Sequence, residues 1–259
     1  MEQQTVVITG GAGEIGFACA EVLLEQKWKV VLADLDGEAL QRRKQDLAAR
    51  FDPALIQVRT FDVRSVQSVT ELFASCRDAG LNITGLVNCA GVISPAASLE
   101  VTEDQWDHVL GINLKGVFFC CQQAARYMVG EGDGRIVNIG SIAAETAWPK
   151  RASYAASKVG VNQLTKTLAV EWAEFGIRVN AVGPAWVDTE LLAPAVQHGY
   201  IDLDCIRNAI PMKRLAAPRD IAEAVLFFLD ERSGFVTGQV LYVDGGYLTG
   251  SPSKAIQPR

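Results

Sequence analysis

The chain has 259 residues, a formal net charge of -6 and a pI near 5.1. An acidic chain is not expected to carry the broad basic face that follows phosphate backbones, which argues against nucleic acid as a partner. Its hydrophobic fraction of 49% and its length favour one globular domain over 1–259. Neither a secretory signal nor an apolar run long enough to span a bilayer is evident, so we expect a cytoplasmic protein.

Short runs of β-branched residues alternate with longer segments of helical period, which is the pattern of repeated βα units. The predicted strands are 5–9, 29–34, 55–61, 84–88, 134–139, 177–182 and 239–243. The predicted helices are 15–26, 38–50, 66–79, 104–129, 153–175 and 218–229. Because parallel strands need right-handed helical crossovers, the expected fold is a doubly wound α/β sheet of about seven strands with helices on both faces.

One long irregular stretch remains, at about 184–217. It contains several turn-forming residues, but Trp186, Leu191, Leu192 and Tyr200 make it too apolar for a solvated tether. A long loop in a compact domain is usually a lid or a binding loop. We therefore predict that this segment covers a ligand.

The six cysteines form no Cys-x-x-Cys pair and do not cluster with either histidine. Thiols scattered in this way are expected to be buried apolar side chains. The sequence therefore predicts no metal site.

A glycine-rich turn, Gly10–Gly16 (GGAGEIG), follows the first predicted strand and opens the first predicted helix. Glycines there let the backbone approach a pyrophosphate, which free N–H groups and the positive end of the helix dipole would stabilise. A tight turn without any ligand would use the same residues. The turn alone leaves both interpretations open.

Asp34 ends the second predicted strand, where a carboxylate would accept hydrogen bonds from the adenosine ribose hydroxyls and repel a 2′-phosphate. No Arg or Lys lies in the glycine turn or directly after Asp34. The pattern favours NAD over NADP. The alternative is an ordinary cap residue before the next helix.

Tyr154 and Lys158 lie in a segment of strong helical character, one turn apart, so their side chains share one face. A phenol with an ordinary pKa of about 10 is a poor base at neutral pH, and a nearby ammonium would lower that pKa. The pair suits general acid–base chemistry. A solvated helix face is the alternative interpretation.

These motifs resemble, in their order and spacing, the short-chain dehydrogenase/reductase family. The resemblance extends from about residue 4 to about residue 249 and includes the ending GQVLYVDGGY. It is carried by Gly10–Gly16, Asp34, Asn88-Cys89-Ala90-Gly91, Asn113, Ser141, Tyr154-x-x-x-Lys158 and Pro184. It implies a Rossmann-type fold and an oxidoreductase that transfers a hydride between NAD(H) and a secondary alcohol or ketone.

The resemblance also implies the roles of four residues. Ser141 would orient the substrate oxygen, and Tyr154 would act as the acid/base. Lys158 would hold the nicotinamide ribose and lower the pKa of Tyr154. Asn113 would support a water molecule that links Lys158 to solvent.

Further residues would contact the cofactor. They are Gly10, Gly13, Glu14, Ile15, Asp34, Asp62, Val63, Asn88, Ala90, Tyr154, Lys158, Pro184, Val187 and Thr189. Two positions depart from the family pattern. Glu14 lies where the family usually has a glycine, and Ala185 lies where the family usually has a glycine after Pro184. An acidic residue in the first helical turn suits the dipole, so Glu14 should point away from the phosphates and Gly13 should allow their close approach.

Apolar residues would border the substrate if the predicted lid folds over the nicotinamide, and they would otherwise belong to the core or to an interface. They are Ile93, Trp148, Trp186, Leu191 and Leu192. The segment 106–129 carries more apolar residues than one sheet-facing stripe requires, which predicts a dimer or a tetramer, as is common in the family.

Two other functions remain open at this stage. One is an NADPH-dependent reductase of the 3-oxoacyl type, against which Asp34 argues. The other is a non-catalytic dinucleotide-sensing protein, which would have no use for Ser141, Tyr154 and Lys158.

Overall fold

The structure, a computed structural model, describes residues 4–192 and 202–250. The strands are β1 (Thr5–Thr9), β2 (Lys29–Asp34), β3 (Ile56–Thr60), β4 (Ile83–Asn88), β5 (Gly134–Ile139), β6 (Ile177–Pro184) and β7 (Val240–Val243). All are parallel and form one sheet in the order β3-β2-β1-β4-β5-β6-β7, which confirms the expected fold. Val6 and Val7 enter separate apolar clusters on the two faces, which explains why β1 is apolar throughout.

Helices cover both faces of the sheet. They are α1 (Glu14–Glu25), α2 (Gly37–Ala48), α3 (Val66–Asp78), α4 (Glu103–Leu110), α5 (Val117–Met128), α6 (Ala152–Trp172), α7 (Leu203–Ala209) and α8 (Pro218–Leu229). Within the described ranges, none of the helices is long and apolar enough to cross a membrane.

The predicted helix 104–129 corresponds to α4 and α5, which are joined by a π-helical turn at Gly111–Gly116. At Gly116 a Cβ atom would lie 2.6 Å from the Val63 side chain, so this turn packs closely on the loop after β3. Such π-helical turns are often found at functional sites. Here the turn carries Asn113.

The strand order reverses between β1 and β4, and ligands of open α/β sheets bind in the crevice at such a point. Gly10 ends β1 there with a φ of 66°, a conformation that favours glycine. A Cβ atom at Gly10 would lie 2.7 Å from the backbone nitrogen of Ala90. Glycine is therefore required for the turns after β1 and β4 to touch.

The segment predicted as an irregular lid, 184–217, contains regular structure in its described parts. Helix α7 lies within it and begins after Asp202. The Asp202 carboxylate caps the helix by accepting hydrogen bonds from the backbone N–H groups of Asp204 and Cys205. A β-bridge between Val187 and Ala216 joins the two ends of the segment. The part 193–201, which includes Tyr200, lies outside the described residues.

Candidate active site

Helix α6 brings the predicted acid/base pair to one cavity. Tyr154 and Lys158 line a cavity of about 460 Å³, together with Ser141 from the turn after β5. We call this space the Tyr154 cavity. Of the predicted cofactor contacts, Ile15, Pro184, Val187 and Thr189 also line it.

The Lys158 ammonium is buried, with 5% of the residue exposed, and its Nζ donates a hydrogen bond to the Ile139 carbonyl at 2.7 Å. Burial lowers the pKa of this ammonium to about 8, and the neighbouring Cys89 thiol opposes the shift. The Nζ atom lies 5.6 Å from the centre of the Tyr154 ring. Lys158 is thus held behind the phenol by the last residue of β5.

The Tyr154 phenol is in a different electrostatic setting from the one expected. Burial raises its pKa, while the Ser141 hydroxyl and the Arg151 guanidinium act in the opposite direction. The lowering of this pKa by Lys158 stays a prediction. Arg151 precedes Tyr154 by one helical turn, also lines the cavity and acts in that direction.

Ser141 follows β5 after Gly140, and its Oγ accepts a hydrogen bond from the Ala143 N–H at 3.0 Å. This turn is tied to β7, because the Tyr242 hydroxyl donates to Glu145 at 2.7 Å and accepts from the Asn162 amide at 3.0 Å. Sequence reasoning missed Tyr242, Glu145 and Asn162. They come from three distant segments, so no local motif could have identified them.

Asn113 is fully buried, and both polar atoms of its side-chain amide form hydrogen bonds. Its Oδ1 accepts from the Val92 N–H and its Nδ2 donates to the Val92 carbonyl, each at 2.9 Å. A third bond runs from Nδ2 to the Ser157 hydroxyl at 3.2 Å. A Cβ atom at Gly91 would lie 3.5 Å from Asn113 Oδ1 and 3.8 Å from Lys158 Nζ. Asn113 and Lys158, which the resemblance links through a water molecule, therefore both lie next to Gly91.

The glycine turn fits a pyrophosphate. A Cβ atom at Gly16 would collide with the Gly10 carbonyl, whereas the nearest atom to a Cβ at Gly13 would be 3.4 Å away. Packing within the protein therefore requires glycine at Gly16 but not at Gly13. Gly13 is also the N-cap of α1 and offers no side chain to the first-turn N–H groups, which leaves them accessible to an anion.

Asp34 faces the glycine turn. Its Oδ2 accepts from the Ala12 N–H at 3.1 Å and its Oδ1 from the Leu35 N–H at 2.7 Å. A cation also reaches this turn, because Arg43 of α2 donates from Nε to the Ala12 carbonyl at 3.0 Å and stacks on the Phe17 ring at 4.6 Å. The sequence had suggested no such cation, since Arg43 arrives there only through the folding of α2.

The other predicted adenosine contacts lie outside the Tyr154 cavity. Asp62 forms an ion pair with Arg64 at 2.7 Å, and this hydrogen-bonded partner lowers the pKa of the carboxyl group. Asn88 is only 2% exposed, and its amide donates to Asn138 at 2.8 Å, so its side chain ties β4 to β5. The Ala90 N–H bonds the Thr9 hydroxyl at 3.3 Å.

Glu14 contacts the predicted lid. Its Oε2 accepts a hydrogen bond from the Glu190 N–H at 2.7 Å, across 176 residues of sequence. Glu190 begins a short 3₁₀ turn, Glu190–Leu192. The departure from the family pattern at Glu14 thus creates a direct link between the glycine turn and the lid segment.

Apolar and aromatic side chains form the outer wall of the Tyr154 cavity. Ile93, Trp148, Trp186 and Leu192 line it as expected from the sequence. The rings of Trp148 and Trp186 meet edge to face with centres 5.8 Å apart. The side chain of Leu191 lies outside the described residues.

Several known proteins similar to this chain are dehydrogenases or reductases. A family model described as enoyl-(acyl carrier protein) reductase matches residues 10–248. The chain is 33% identical over 244 residues to an NAD-dependent glycerol dehydrogenase of Listeria innocua, covering 94% of this chain and 93% of that protein. It is 38% identical over 251 residues to cis-4-hydroxycyclohexanecarboxylate dehydrogenase of Sinomonas cyclohexanicum, covering 95% and 96% of the two chains.

A solved structure has the same fold over nearly its full length. It is a gluconate 5-dehydrogenase from Burkholderia cenocepacia, in complex with NADP and tartrate. The TM-score is 0.88 at 32% identity, and the match covers 96% of this chain and 97% of that one.

Proposed function

The chain belongs to the short-chain dehydrogenase/reductase family, and from this premise we propose that it interconverts secondary alcohols and ketones with NAD(H) as its cofactor. That it is an oxidoreductase of alcohols or ketones follows from its relatives. The observation that carries the catalytic assignment is the convergence of Ser141, Tyr154 and Lys158 on one cavity. A protein that only sensed a dinucleotide would not need this set.

The residues along the crevice fit a dinucleotide. The open first turn of α1 at Gly13 suits the pyrophosphate, and the Asp34 carboxylate suits the adenosine ribose hydroxyls. Lys158 and Thr189 line the other end, where the nicotinamide half would lie. When bound there, NAD supplies the carbon that accepts the hydride.

The side chains of the cavity divide the proton chemistry among them. The Ser141 oxygen accepts from the Ala143 N–H, so its own proton is available to align the substrate oxygen. Tyr154 takes the hydroxyl proton at its phenolic oxygen as the hydride leaves carbon, and such a base typically contributes about 10²–10⁴-fold. The positive charges of Arg151 and Lys158 on either side favour the phenolate that this step requires.

Asp34 supports the choice of NAD. Its carboxylate is held by three backbone N–H groups beside the glycine turn, where a 2′-phosphate would meet its negative charge. Arg43 supports the second candidate, an NADP(H)-dependent reductase of the 3-oxoacyl type, because a guanidinium at this turn could bind a phosphate. We favour NAD because Asp34 lies at the end of β2 itself, whereas Arg43 is engaged with Ala12 and Phe17.

The test is a screen of secondary alcohols with NAD and with NADP, followed by the absorbance of the reduced cofactor. We expect turnover with NAD for at least one alcohol and a higher kcat/KM with NAD than with NADP. Tyr154→Phe serves as the control that excludes a contaminating dehydrogenase. Equal or faster turnover with NADP would overturn the choice of cofactor, and no turnover with either cofactor would overturn the catalytic proposal.

We also propose that the protein is an oligomer in the cytoplasm. Most of the apolar surplus predicted on 106–129 is covered within the chain, since Val109, Val117 and Cys120 are buried. Exposed apolar residues remain nearby on α6, where Val159 is 50% and Val170 is 82% exposed. Light scattering should give a mass above the 28.0 kDa of one chain, and a single species at that mass would contradict the proposal.

A further inference from the structure

Arg151, Tyr154 and Lys158 form a row along one side of α6. Arg151 is the N-cap residue of this helix, and the other two follow at successive helical turns. All three line the Tyr154 cavity. The base therefore lies between a cation that would contact the cofactor and a second cation, Arg151, that also reaches the cavity.

Arg151 has no carboxylate partner in the part of the chain that the structure describes, where the ion pairs involve other arginines. Its hydrogen bond to the Lys150 carbonyl is long, at 3.4 Å. The side chain is nevertheless partly buried in the wall of the cavity. A guanidinium removed from water without an anion is unfavourable, and a bound anion would correct this.

The remaining lining of the cavity shows what else such a ligand would need. Among the described residues that line it, Arg151 and Lys158 are charged and none is acidic. The opposite wall is formed by apolar side chains, including the paired rings of Trp148 and Trp186. The cavity thus suits a ligand that joins an apolar, ring-sized body to a negative group.

We propose that Arg151 binds a carboxylate of the substrate, so that the enzyme acts on apolar hydroxy acids and the corresponding keto acids. This inference rests on the proposed function, because it places the alcohol carbon at Tyr154. The planar guanidinium matches a carboxylate through two parallel hydrogen bonds. The three residues from Arg151 to Tyr154 correspond to about 4.5 Å along the helix axis, so the two side chains leave α6 from neighbouring turns.

The test compares 4-hydroxycyclohexanecarboxylate with its methyl ester, which has the same ring and hydroxyl but no charge. In the wild type we expect kcat/KM for the acid to exceed that for the ester by at least about tenfold, mainly through KM. Arg151→Gln should remove this preference, and Arg151→Lys should retain part of it because Lys keeps the charge but not the fork. Lys150→Gln is the matched control, since it removes the adjacent exposed cation, and it should leave the preference unchanged.

Equal kcat/KM for acid and ester in the wild type would overturn the proposal. So would an equal loss for both substrates in Arg151→Gln, because Arg151 would then act only on Tyr154.

A binding measurement separates this inference from the proposed function. Cyclohexanecarboxylate should change the fluorescence of Trp148 and Trp186, and cyclohexanecarboxamide should bind at least about tenfold more weakly. Arg151→Gln should make the two affinities equal. Selective acid binding without turnover of any alcohol would retain the Arg151 site and reject the enzyme function, whereas turnover without that selectivity would do the reverse.

Discussion

The two ends of the crevice are built in different ways. At the adenosine end, Asp34 and Asp62 are held by backbone N–H groups and by a neighbouring arginine near the surface. At the reaction end, Ser141, Asn113 and Lys158 are 7%, 0% and 5% exposed and are hydrogen-bonded to backbone groups. The half-buried Asp34 carboxylate can therefore be changed with a smaller effect on stability than the buried groups, which couple catalysis to folding.

The largest effect is expected at the reaction end. Tyr154→Phe removes the proton acceptor but almost none of the surface that contacts the cofactor, so kcat should fall by about 10³-fold or more while NAD affinity stays within a factor of about two. Stopped-flow turnover and fluorescence titration with NAD would measure the two quantities. If the variant kept a large share of kcat with unchanged NAD binding, another base near the reacting carbon would have to be sought.

Lys158 tests whether a buried group that catalysis needs lowers the stability of the fold. Its pKa is lowered from the ordinary value of 10.5 to about 8 by burial, so the folded protein binds this proton less tightly than the unfolded chain does. The penalty applies fully below pH 8 and disappears as the pH rises towards 10.5. Lys158→Met should therefore be about 2–3 kcal/mol more stable than the wild type at pH 7, although inactive.

Urea unfolding at several pH values would measure this difference. The advantage of Lys158→Met should shrink between pH 8 and pH 10.5, since the wild type gains stability over that range. Lys166→Met, on the exposed face of the same helix, is the control and should show no such trend. A destabilised Lys158→Met at pH 7 would mean that the bond to Ile139 outweighs the cost of burying the charge.

Much of this architecture could be predicted from the sequence. The strands agree with prediction to within two residues at their ends, because side chains buried on both faces leave uninterrupted apolar runs. The glycine turn and the pair Tyr154 and Lys158 lie within short segments, and the regular spacing of one strand–turn–helix unit is enough to place them.

Features that arise between distant segments could not be predicted. The π-helical turn at Asn113 depends on Val92 and on the contact of Gly116 with Val63, and both partners lie in other loops. Arg43 reaches the glycine turn, and Arg151 reaches the cavity, only once α2 and α6 have packed on the sheet. Helix α7 had a local signal, because Asp202 is a favourable N-cap residue, but the surrounding turn residues obscured it.

At the adenosine end we expect a smaller effect without loss of fold. Asp34→Ala removes both the acceptor for the ribose hydroxyls and the charge that opposes a 2′-phosphate, so the ratio of NAD to NADP affinity should fall by about tenfold to a hundredfold. Fluorescence titration with each cofactor gives the ratio. Arg43→Ala should move it in the opposite direction, and an unchanged ratio in Asp34→Ala would show that Asp34 does not select the cofactor.

The smallest effect should come from Glu14, which joins the glycine turn to the lid segment. The bond from the Glu190 N–H is charge-assisted and 2.7 Å long, but it lies near the surface, where water competes with it. Glu14→Ala should therefore raise the KM for NAD only about twofold to fivefold, with kcat changed less. Glu14→Gln keeps an acceptor oxygen without the charge, so its KM for NAD should lie between those of the wild type and Glu14→Ala.

The direct readout is hydrogen exchange at the Glu190 amide. This exchange should become faster in Glu14→Ala and less so in Glu14→Gln. If this exchange were the same in all three proteins, the contact would not hold the lid segment in solution, and the connection between the two ends of the crevice would have to run through the cofactor itself.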